Sequence, residues 1–359
     1  MTSERSKTYE KVVTPSSGLR LHLNENTAGC SPRVFEALHA ITRQRAALYP
    51  DYDTARQATA TRLAVPVQEV LLTNGLDEGI LAAAVAALRP QGLSAAAPSS
   101  SAAFTTPEAI VVVPAFDMYG VCTSAAGGRV VNVPLAADFS FPLREVLAAG
   151  GAATRVVFLT NPNNPTGQLI PRADIIEILR VLPQALVFVD EAYADFAGES
   201  LIGDVEARTY RNLVIGRTFA KAYGLAGIRA GAVIAHTDTL APLSQVVPPY
   251  SINVYAAAAL AAGLNDAEHY DWYLAQVRES KSLVYEALGK LGLRYWRSAA
   301  NFVLVNVGGR VTQVVADLAE RGVFVRDRSR DHGCAGCMRV TTGVVEHTRV
   351  FINALEEVL

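Results

Sequence analysis

Lys221 lies in the segment RTFAKAYGLAGIRAG, residues 217–231, where most of its neighbours are small or apolar. Such surroundings are expected to desolvate the side chain, which disfavours the ammonium form and lowers the pKa of the amine. A neutral amine is a nucleophile that can form an imine with an aldehyde. Lysines usually lie on solvated faces, so this segment alone does not decide between a catalytic and a structural role.

A second segment, ALVFVDEAYADF, has Asp190 at the end of an apolar run and Tyr193 three residues later. A carboxylate can keep a pyridine nitrogen protonated, and a phenol can hydrogen-bond a ring hydroxyl. Acidic residues are also common at the ends of ordinary strands. The pairing of the two side chains is what favours a role in cofactor chemistry.

Two further segments lead from an apolar run into a turn. RVVFLT is followed by NPNNPTG, which contains Asn164, and turn formation alone explains that composition. EVLLT is followed by Asn74 and Gly75 and then by a helical pattern, so the first N–H groups of the helix can hold a phosphate. Many strand-to-helix turns look alike, and this one has no Walker or dinucleotide-binding motif.

The elements that must position these residues alternate along the chain. From about Leu71 to His236, seven short β-branched runs alternate with Ala-rich helical stretches, which predicts a mostly parallel sheet covered by helices. Ligands bind at the carboxyl ends of such strands. The later pattern is mixed and predicts a smaller α+β domain. We expect a large α/β domain over residues 40–255 and a small domain from residues 1–39 and 256–359.

Composition narrows the range of partners. The 32 basic and 34 acidic residues give a net charge of -2, so no strong field favours nucleic acid or a membrane surface, and a small-molecule substrate is expected. The first 13 residues have no apolar core of the kind that a signal peptide needs, which predicts a cytoplasmic protein. Cys334 and Cys337 are expected to form a turn rather than half a zinc site. Residues 93–109 read as a loop, with a lid as the alternative.

The order and spacing of the segments resemble fold type I pyridoxal-phosphate enzymes of the class I/II aminotransferase group, and above all histidinol-phosphate aminotransferases. The likeness extends over nearly the whole chain. The stretches that carry it are LHLNEN, LYPD, TNGLDEGI, PAFDMYG, NPNNPTG, VDEAYADF, RTFAKAYGLAGIRAG, VFVRDRS and GCMRVTTG.

The resemblance implies a role for each matching residue. Lys221 would form the Schiff base with pyridoxal phosphate, Asp190 would meet the pyridine nitrogen, and Tyr193 and Asn164 would contact the ring hydroxyl. Phe116 would stack on the ring. The cofactor phosphate would be held by the backbone amides of Leu76 and Asp77, the hydroxyl of Thr218 and the guanidinium of Arg229. Gly75 would also belong to the cofactor site.

The same resemblance implies the substrate contacts and the assembly. Arg339 would hold the anionic end of the substrate, with Arg326 as a second anion contact and Asn24 as a further substrate-binding residue. Whether these arginines bind phosphate or carboxylate stays open. Tyr49, in LYPD, would reach the cofactor phosphate of a neighbouring subunit, which implies a homodimer.

The implied reaction is transfer of an amino group from histidinol phosphate to a 2-oxo acid such as 2-oxoglutarate. Alternatives are an aromatic or other amino acid as donor, a decarboxylase of a phosphorylated amino acid, and a non-catalytic binding module. Three departures weaken the substrate assignment more than the chemistry. Residues 27–30 are TAGC where Pro-Tyr-Gly-Pro is usual, Ala220 replaces a common serine, and Phe116 replaces a frequent tyrosine.

Overall fold

The computed structural model describes residues 15–89, 105–202 and 209–359. The strands within these ranges are β1 (Leu19–Arg20), β2 (Val70–Asn74), β3 (Glu108–Val113), β4 (Arg129–Pro134), β5 (Thr154–Thr160), β6 (Leu186–Asp190), β7 (Leu213–Thr218), β8 (Ala230–Ala235), β9 (Arg294–Trp296), β10 (Phe302–Asn306), β11 (Val323–Phe324), β12 (Arg326–Asp327) and β13 (Cys337–Thr341). The α-helices are α1 (Pro32–His39), α2 (Arg43–Ala46), α3 (Asp53–Leu63), α4 (Leu76–Leu88), α5 (Met118–Ala125), α6 (Leu143–Ala149), α7 (Arg172–Val181), α8 (Ala194–Ala197), α9 (Thr237–Ser244), α10 (Val254–Leu264), α11 (Ala267–Lys290), α12 (Val311–Glu320) and α13 (Val345–Val358).

The seven apolar runs form one seven-stranded sheet in the order β2-β8-β7-β6-β5-β3-β4. Neighbouring strands are parallel except at β8, which is antiparallel to both β7 and β2. The prediction of a mostly parallel sheet is confirmed. Strands β7 and β8 are buried along their whole length, as expected for strands covered on both faces.

Helices cover the two faces of this sheet and create two apolar cores. Ile110 and Val157 face one core together with residues of α7 and α10, whereas Val111 and Phe158 face the other core with residues of α4 and α5. Successive residues of a strand point to opposite faces, so each strand contributes to both cores. The sheet is thereby held rigid, and the loops at its carboxyl edge are held with it.

A second, four-stranded antiparallel sheet has the order β12-β13-β10-β9, and β1 pairs with β11 beside it. Its core includes residues of α11, α12 and α13. Leu21 belongs to this core, and its carbonyl accepts a hydrogen bond from Thr341 N, which ties the N-terminal segment to β13. Val34 of α1 instead packs in a core of the large sheet. The division at residues 39/40 and 255/256 stays a prediction.

Several smaller predictions can be compared with the structure. Ser31 caps α1, with its side chain accepting from Val34 N and Pro32 in the first turn. Cys337 N donates to the Cys334 carbonyl in a turn that leads into β13, and both thiols are free. Residues 93–104 of the predicted loop lie outside the described residues, and its predicted end at residue 109 is wrong because β3 begins at Glu108.

No helix in the described ranges is long and apolar enough to cross a membrane.

Candidate active site

A cavity of about 700 Å³ lies at the carboxyl ends of β6 and β7 and is closed by residues of the second sheet and of the N-terminal segment. It brings together twelve of the fourteen side chains that the sequence singled out. These twelve are Asn24, Leu76, Asp77, Phe116, Asn164, Asp190, Tyr193, Thr218, Lys221, Arg229, Arg326 and Arg339. Gly75 lies directly beside the lining, and Tyr49 lies elsewhere.

Lys221 follows β7 and extends its amine into the cavity. The Nζ atom donates a hydrogen bond to the carbonyl oxygen of Leu23, at 2.9 Å. Desolvation lowers the pKa of the Lys221 amine to about 8, and the positive charge of Arg339 acts in the same direction. At this pKa about a tenth of the amine is neutral at pH 7, far more than for an amine at the ordinary value of 10.5, and the neutral form is the nucleophile.

Asp190 ends β6 and is almost fully buried. Its Oδ2 accepts from the Tyr119 hydroxyl at 2.6 Å, and its Oδ1 accepts from Ala192 N at 2.9 Å. Burial raises the pKa of Asp190 to about 6, although both hydrogen bonds favour the carboxylate. A carboxylate that pays this desolvation cost gains strongly from a cationic partner, such as a protonated ring nitrogen.

Tyr193 and Asn164 are held by neighbours that come from both ends of the chain. Asn24 Nδ2 donates to the Tyr193 hydroxyl at 3.0 Å, and Asn24 Oδ1 accepts from the Thr341 hydroxyl at 3.2 Å. Asn164 Oδ1 accepts from Arg339 Nη1 at 2.5 Å. Asn24, from the N-terminal segment, thus positions the Tyr193 hydroxyl in the cavity.

The N-terminus of α4 forms a cradle, and the residue directly before the helix, Gly75, has no side chain. Gly75 precedes the helix at a φ of +72° and gives no side-chain cap, so the first N–H groups of α4 remain available for an anion. A Cβ atom at Gly75 would lie 2.4 Å from Arg229 Nη2. That guanidinium also donates to Asp77 Oδ2 at 2.8 Å. Thr218 places its hydroxyl at the end of β7, in the same cavity wall.

The opposite wall carries arginines. Arg326 and Arg339 are direct partners across the antiparallel pair of β12 and β13, and like charges in such positions repel one another. Arg339 Nη2 donates to the His22 carbonyl at 2.6 Å, and its Nε has no partner among the described residues. Burial lowers the pKa of Arg339 to about 9. An anion between the two guanidinium groups would relieve both the repulsion and the unmet hydrogen bonding.

A buried ion-pair network supports the loop that follows Asp190. Arg217 donates to Glu191 Oε2 at 3.2 Å and to Asp195 Oδ1 at 2.8 Å, and all three side chains are buried. Tyr270 also donates to Asp195 Oδ1 at 2.8 Å. The network fixes the backbone between β6 and α8, where Tyr193 lies.

Tyr49 is 77% exposed, and its ring stacks on that of Tyr250 with centroids 4.2 Å apart. Leu48 and Tyr250 are also exposed, so the three side chains form an apolar surface patch. Tyr49 does not line the cavity of its own chain. Its role in the site of a second subunit stays a prediction.

These features fit pyridoxal phosphate. The cradle of α4 suits a phosphate for three reasons. No side chain caps its first N–H groups, a side chain at Gly75 would occupy the space in front of them, and Arg229 lies beside that space. Lys221 supplies a desolvated amine for an aldehyde, and Asp190 supplies a buried carboxylate for a ring nitrogen. Phe116 lies in the same wall and offers a ring for stacking.

The sequence did not single out four residues of the site. Arg20, His22 and Arg328 line the cavity, and Tyr119 donates a hydrogen bond to Asp190. Tyr119 lies within the stretch PAFDMYG, three residues after Phe116, and this closeness in sequence could have indicated a shared site. Arg328 lies within VFVRDRS. Arg20 and His22 alternate with apolar residues in LRLHL, and that period of two indicates one face of an extended segment.

Comparison with known proteins shows the family of the chain. The family model for aminotransferase class I and II matches residues 16–355. A histidinol-phosphate aminotransferase of Symbiobacterium thermophilum is 37% identical over 346 residues, which cover 95% of this chain and 90% of that relative.

Two solved structures have the same fold. The histidinol-phosphate aminotransferase of Sinorhizobium meliloti in complex with pyridoxal-5'-phosphate gives a TM-score of 0.80 at 25% identity, covering 95% of this chain and 90% of that one. The L-threonine-O-3-phosphate decarboxylase of Porphyromonas gingivalis gives 0.78 at 23% identity, covering 94% and 98%. The resemblance inferred from the motifs is confirmed: the chain belongs to the class I and II aminotransferases.

Proposed function

We propose that this aminotransferase, with pyridoxal phosphate as its cofactor, transfers the amino group of histidinol phosphate to a 2-oxo acid such as 2-oxoglutarate. The observation that carries the proposal is one cavity that holds a desolvated amine at Lys221, a buried carboxylate at Asp190, and a wall of arginines. Relatives at 32% to 37% identity over at least 95% of this chain are named histidinol-phosphate aminotransferases.

Each part of the cavity has a task in this reaction. When bound, pyridoxal phosphate supplies an aldehyde for imine formation and a ring that withdraws electrons from the substrate α-carbon. Lys221 Nζ would accept the proton from that carbon and pass it to the carbon of the cofactor aldehyde, as transfer of the amino group requires. Asp190 holds a proton on the ring nitrogen. Arg326 and Arg339 bind the anionic end of the donor and orient its α-carbon towards Lys221.

We further propose a homodimer that works in the cytoplasm. The exposed patch of Leu48, Tyr49 and Tyr250 supports the dimer, because large apolar side chains grouped on a surface favour a protein partner. In the dimer Tyr49 would contact the cofactor phosphate of the second subunit.

The donor is tested with purified holoenzyme and 2-oxoglutarate. Histidinol phosphate, phenylalanine and phosphothreonine are supplied separately, and glutamate formation and carbon dioxide release are measured. We expect glutamate with histidinol phosphate, at a kcat/KM well above that with phenylalanine, and no carbon dioxide from phosphothreonine. Glutamate formation from phenylalanine alone, or release of carbon dioxide, would contradict the proposal.

The lysine assignment has a matched control within the chain. Lys281 is also desolvated, with a pKa of about 8, and its Nζ donates to the Ser298 carbonyl at 2.9 Å. Borohydride reduction and peptide mapping should place the cofactor on Lys221 and not on Lys281. Lys221→Met should lose turnover almost entirely, whereas Lys281→Met should retain it. Cofactor found on another lysine would refute the assignment.

A further inference from the structure

His22 is a buried histidine whose imidazole makes no hydrogen bond. The residue is 3% exposed and lines the cavity, and neither Nδ1 nor Nε2 has a partner among the described residues. Buried polar groups are paired in the great majority of cases, because an unpaired group loses its hydrogen bonds to water without compensation. An imidazole in this state at a cavity wall indicates that its partner is a ligand.

Three arginines that line the same cavity show a matching deficit. The Nε atoms of Arg20, Arg328 and Arg339 are buried and have no partner among the described residues. Guanidinium nitrogens can only donate hydrogen bonds. The missing partner of this wall is therefore an acceptor, and an oxyanion with several oxygens can serve several donors at once.

The charges of the wall also favour an anion. Its four arginines are Arg20, Arg326, Arg328 and Arg339. Arg20 pairs with Glu25 at 2.5 Å, Arg328 pairs with Asp331, and Asp117 lines the same cavity and acts on Asp331. The arginines outnumber these three carboxylates, so the wall carries a net positive charge, and its unpaired donors favour an anion with several oxygens, such as a phosphate monoester.

We propose that His22 is a specificity-determining residue that donates a hydrogen bond from its imidazole to a dianionic phosphate group of the amino donor. The identity of the phosphorylated donor rests on the function proposed above. The arginines supply most of the attraction for any anion. His22 adds one directed hydrogen-bond donor. Only an anion with several oxygens can accept from this donor and from the guanidinium groups at the same time.

The protonation of His22 gives the inference a second consequence. Burial lowers the pKa of His22, and Arg20, Arg326 and Arg339 lower it further, while Glu25 raises it. The ring of Phe324 also lies near His22, with centroids 6.3 Å apart. A dianion that accepts from the imidazole favours its protonated form, so binding of phosphate should raise the pKa of His22.

The first experiment compares variants on two donors that differ only in the phosphate. His22→Leu should lower kcat/KM for histidinol phosphate by roughly tenfold to a hundredfold, the usual effect of one hydrogen bond to a charged group. It should leave the slow single-turnover reaction with unphosphorylated histidinol within about twofold. His22→Gln keeps an N–H donor and should recover most of the loss. The control His236→Gln, outside the cavity lining, should match the unchanged protein.

An equal loss on both donors would overturn the inference, because a merely structural role lowers both reactions alike. Failure of His22→Gln to recover more activity than His22→Leu would overturn it too. These results differ from failure of the proposed function, in which the unchanged holoenzyme itself does not use histidinol phosphate.

The second experiment needs no turnover, and the titration itself is done on the unchanged protein. The imidazole resonances of the holoenzyme are followed by NMR through a pH titration, with and without inorganic phosphate, and His22 is assigned from the spectrum of His22→Gln. The cofactor fills the cradle of α4, so added phosphate reports on the arginine wall. We expect an upward shift of the pKa of His22, and an unchanged pKa at saturating phosphate would refute the inference.

Discussion

Asp190 should destabilise the cofactor-free protein near neutral pH, and Asp190→Asn should remove that effect. Burial raises the pKa of Asp190 from 3.8 to about 6, despite hydrogen bonds from Tyr119 and Ala192 N. A carboxyl group whose pKa is raised on folding stabilises the folded state fully below pH 3.8, and this contribution is lost as the pH rises through about 6.

The size of the effect follows from the same two values. Each pH unit between them is worth about 1.4 kcal/mol, so the full loss is about 3 kcal/mol as an order of magnitude. Roughly half of it falls between pH 5 and pH 7.5, the range in which the protein can be handled. Asparagine has nearly the shape of aspartate and no charge. Its amide can still accept from Ala192 N.

The assay is urea denaturation of cofactor-free protein at pH 5 and pH 7.5. The stability of Asp190→Asn relative to the unchanged chain should rise by about 1.5 kcal/mol between these pH values. Asp271→Asn, an exposed site with the same change of charge, should show no such rise. A difference that is constant with pH, or that falls, would refute the reasoning. The same variant should turn over very slowly, because an amide does not keep the ring nitrogen protonated.

Three other substitutions test separate parts of the site. Gly75→Ala should weaken cofactor binding by about tenfold or more, because its Cβ would lie 2.4 Å from Arg229 Nη2, whereas Gly151→Ala has open space and should bind normally in a cofactor titration. Arg217→Met leaves two buried carboxylates unpaired and should lower the free energy of unfolding by about 3–5 kcal/mol, and a loss below about 1 kcal/mol in urea denaturation would contradict this. Tyr49→Ala should raise the cofactor Kd by about tenfold in a dimer that sediments normally, and an unchanged Kd would argue against a contact across subunits.

The central strands of the large sheet could be predicted because they are buried on both faces. Such strands consist of β-branched and apolar residues in short runs, and the run RVVFLT became β5 and ALVFVD became β6. The direction of β8 could not be predicted, since its residues AGAVIA suit either orientation. That direction depends on the path of the connection after Lys221, which local composition does not specify.

The cofactor side of the site was easier to predict than the substrate side. Asp190 is the last residue of a buried strand and Lys221 lies three residues after the end of the next one, so their place at the carboxyl edge follows from the sheet itself. Arg326 and Arg339 meet because of the register between β12 and β13, and His22 joins them through contacts more than 300 residues apart in sequence. Such pairings depend on the tertiary fold and leave no periodic pattern in the chain.

The cofactor cradle and the arginine wall come from different parts of the polypeptide. The cradle is drawn from one continuous stretch, residues 75–229, whereas the wall is drawn from Arg20 and His22 at one end and residues 326–339 at the other. Donor preference can therefore drift during evolution while the coenzyme machinery is left untouched. Because the wall is built from both ends of the chain, the two ends must be exchanged together. A chimaera that receives both terminal segments of a paralogue should acquire the amino-donor preference of that paralogue.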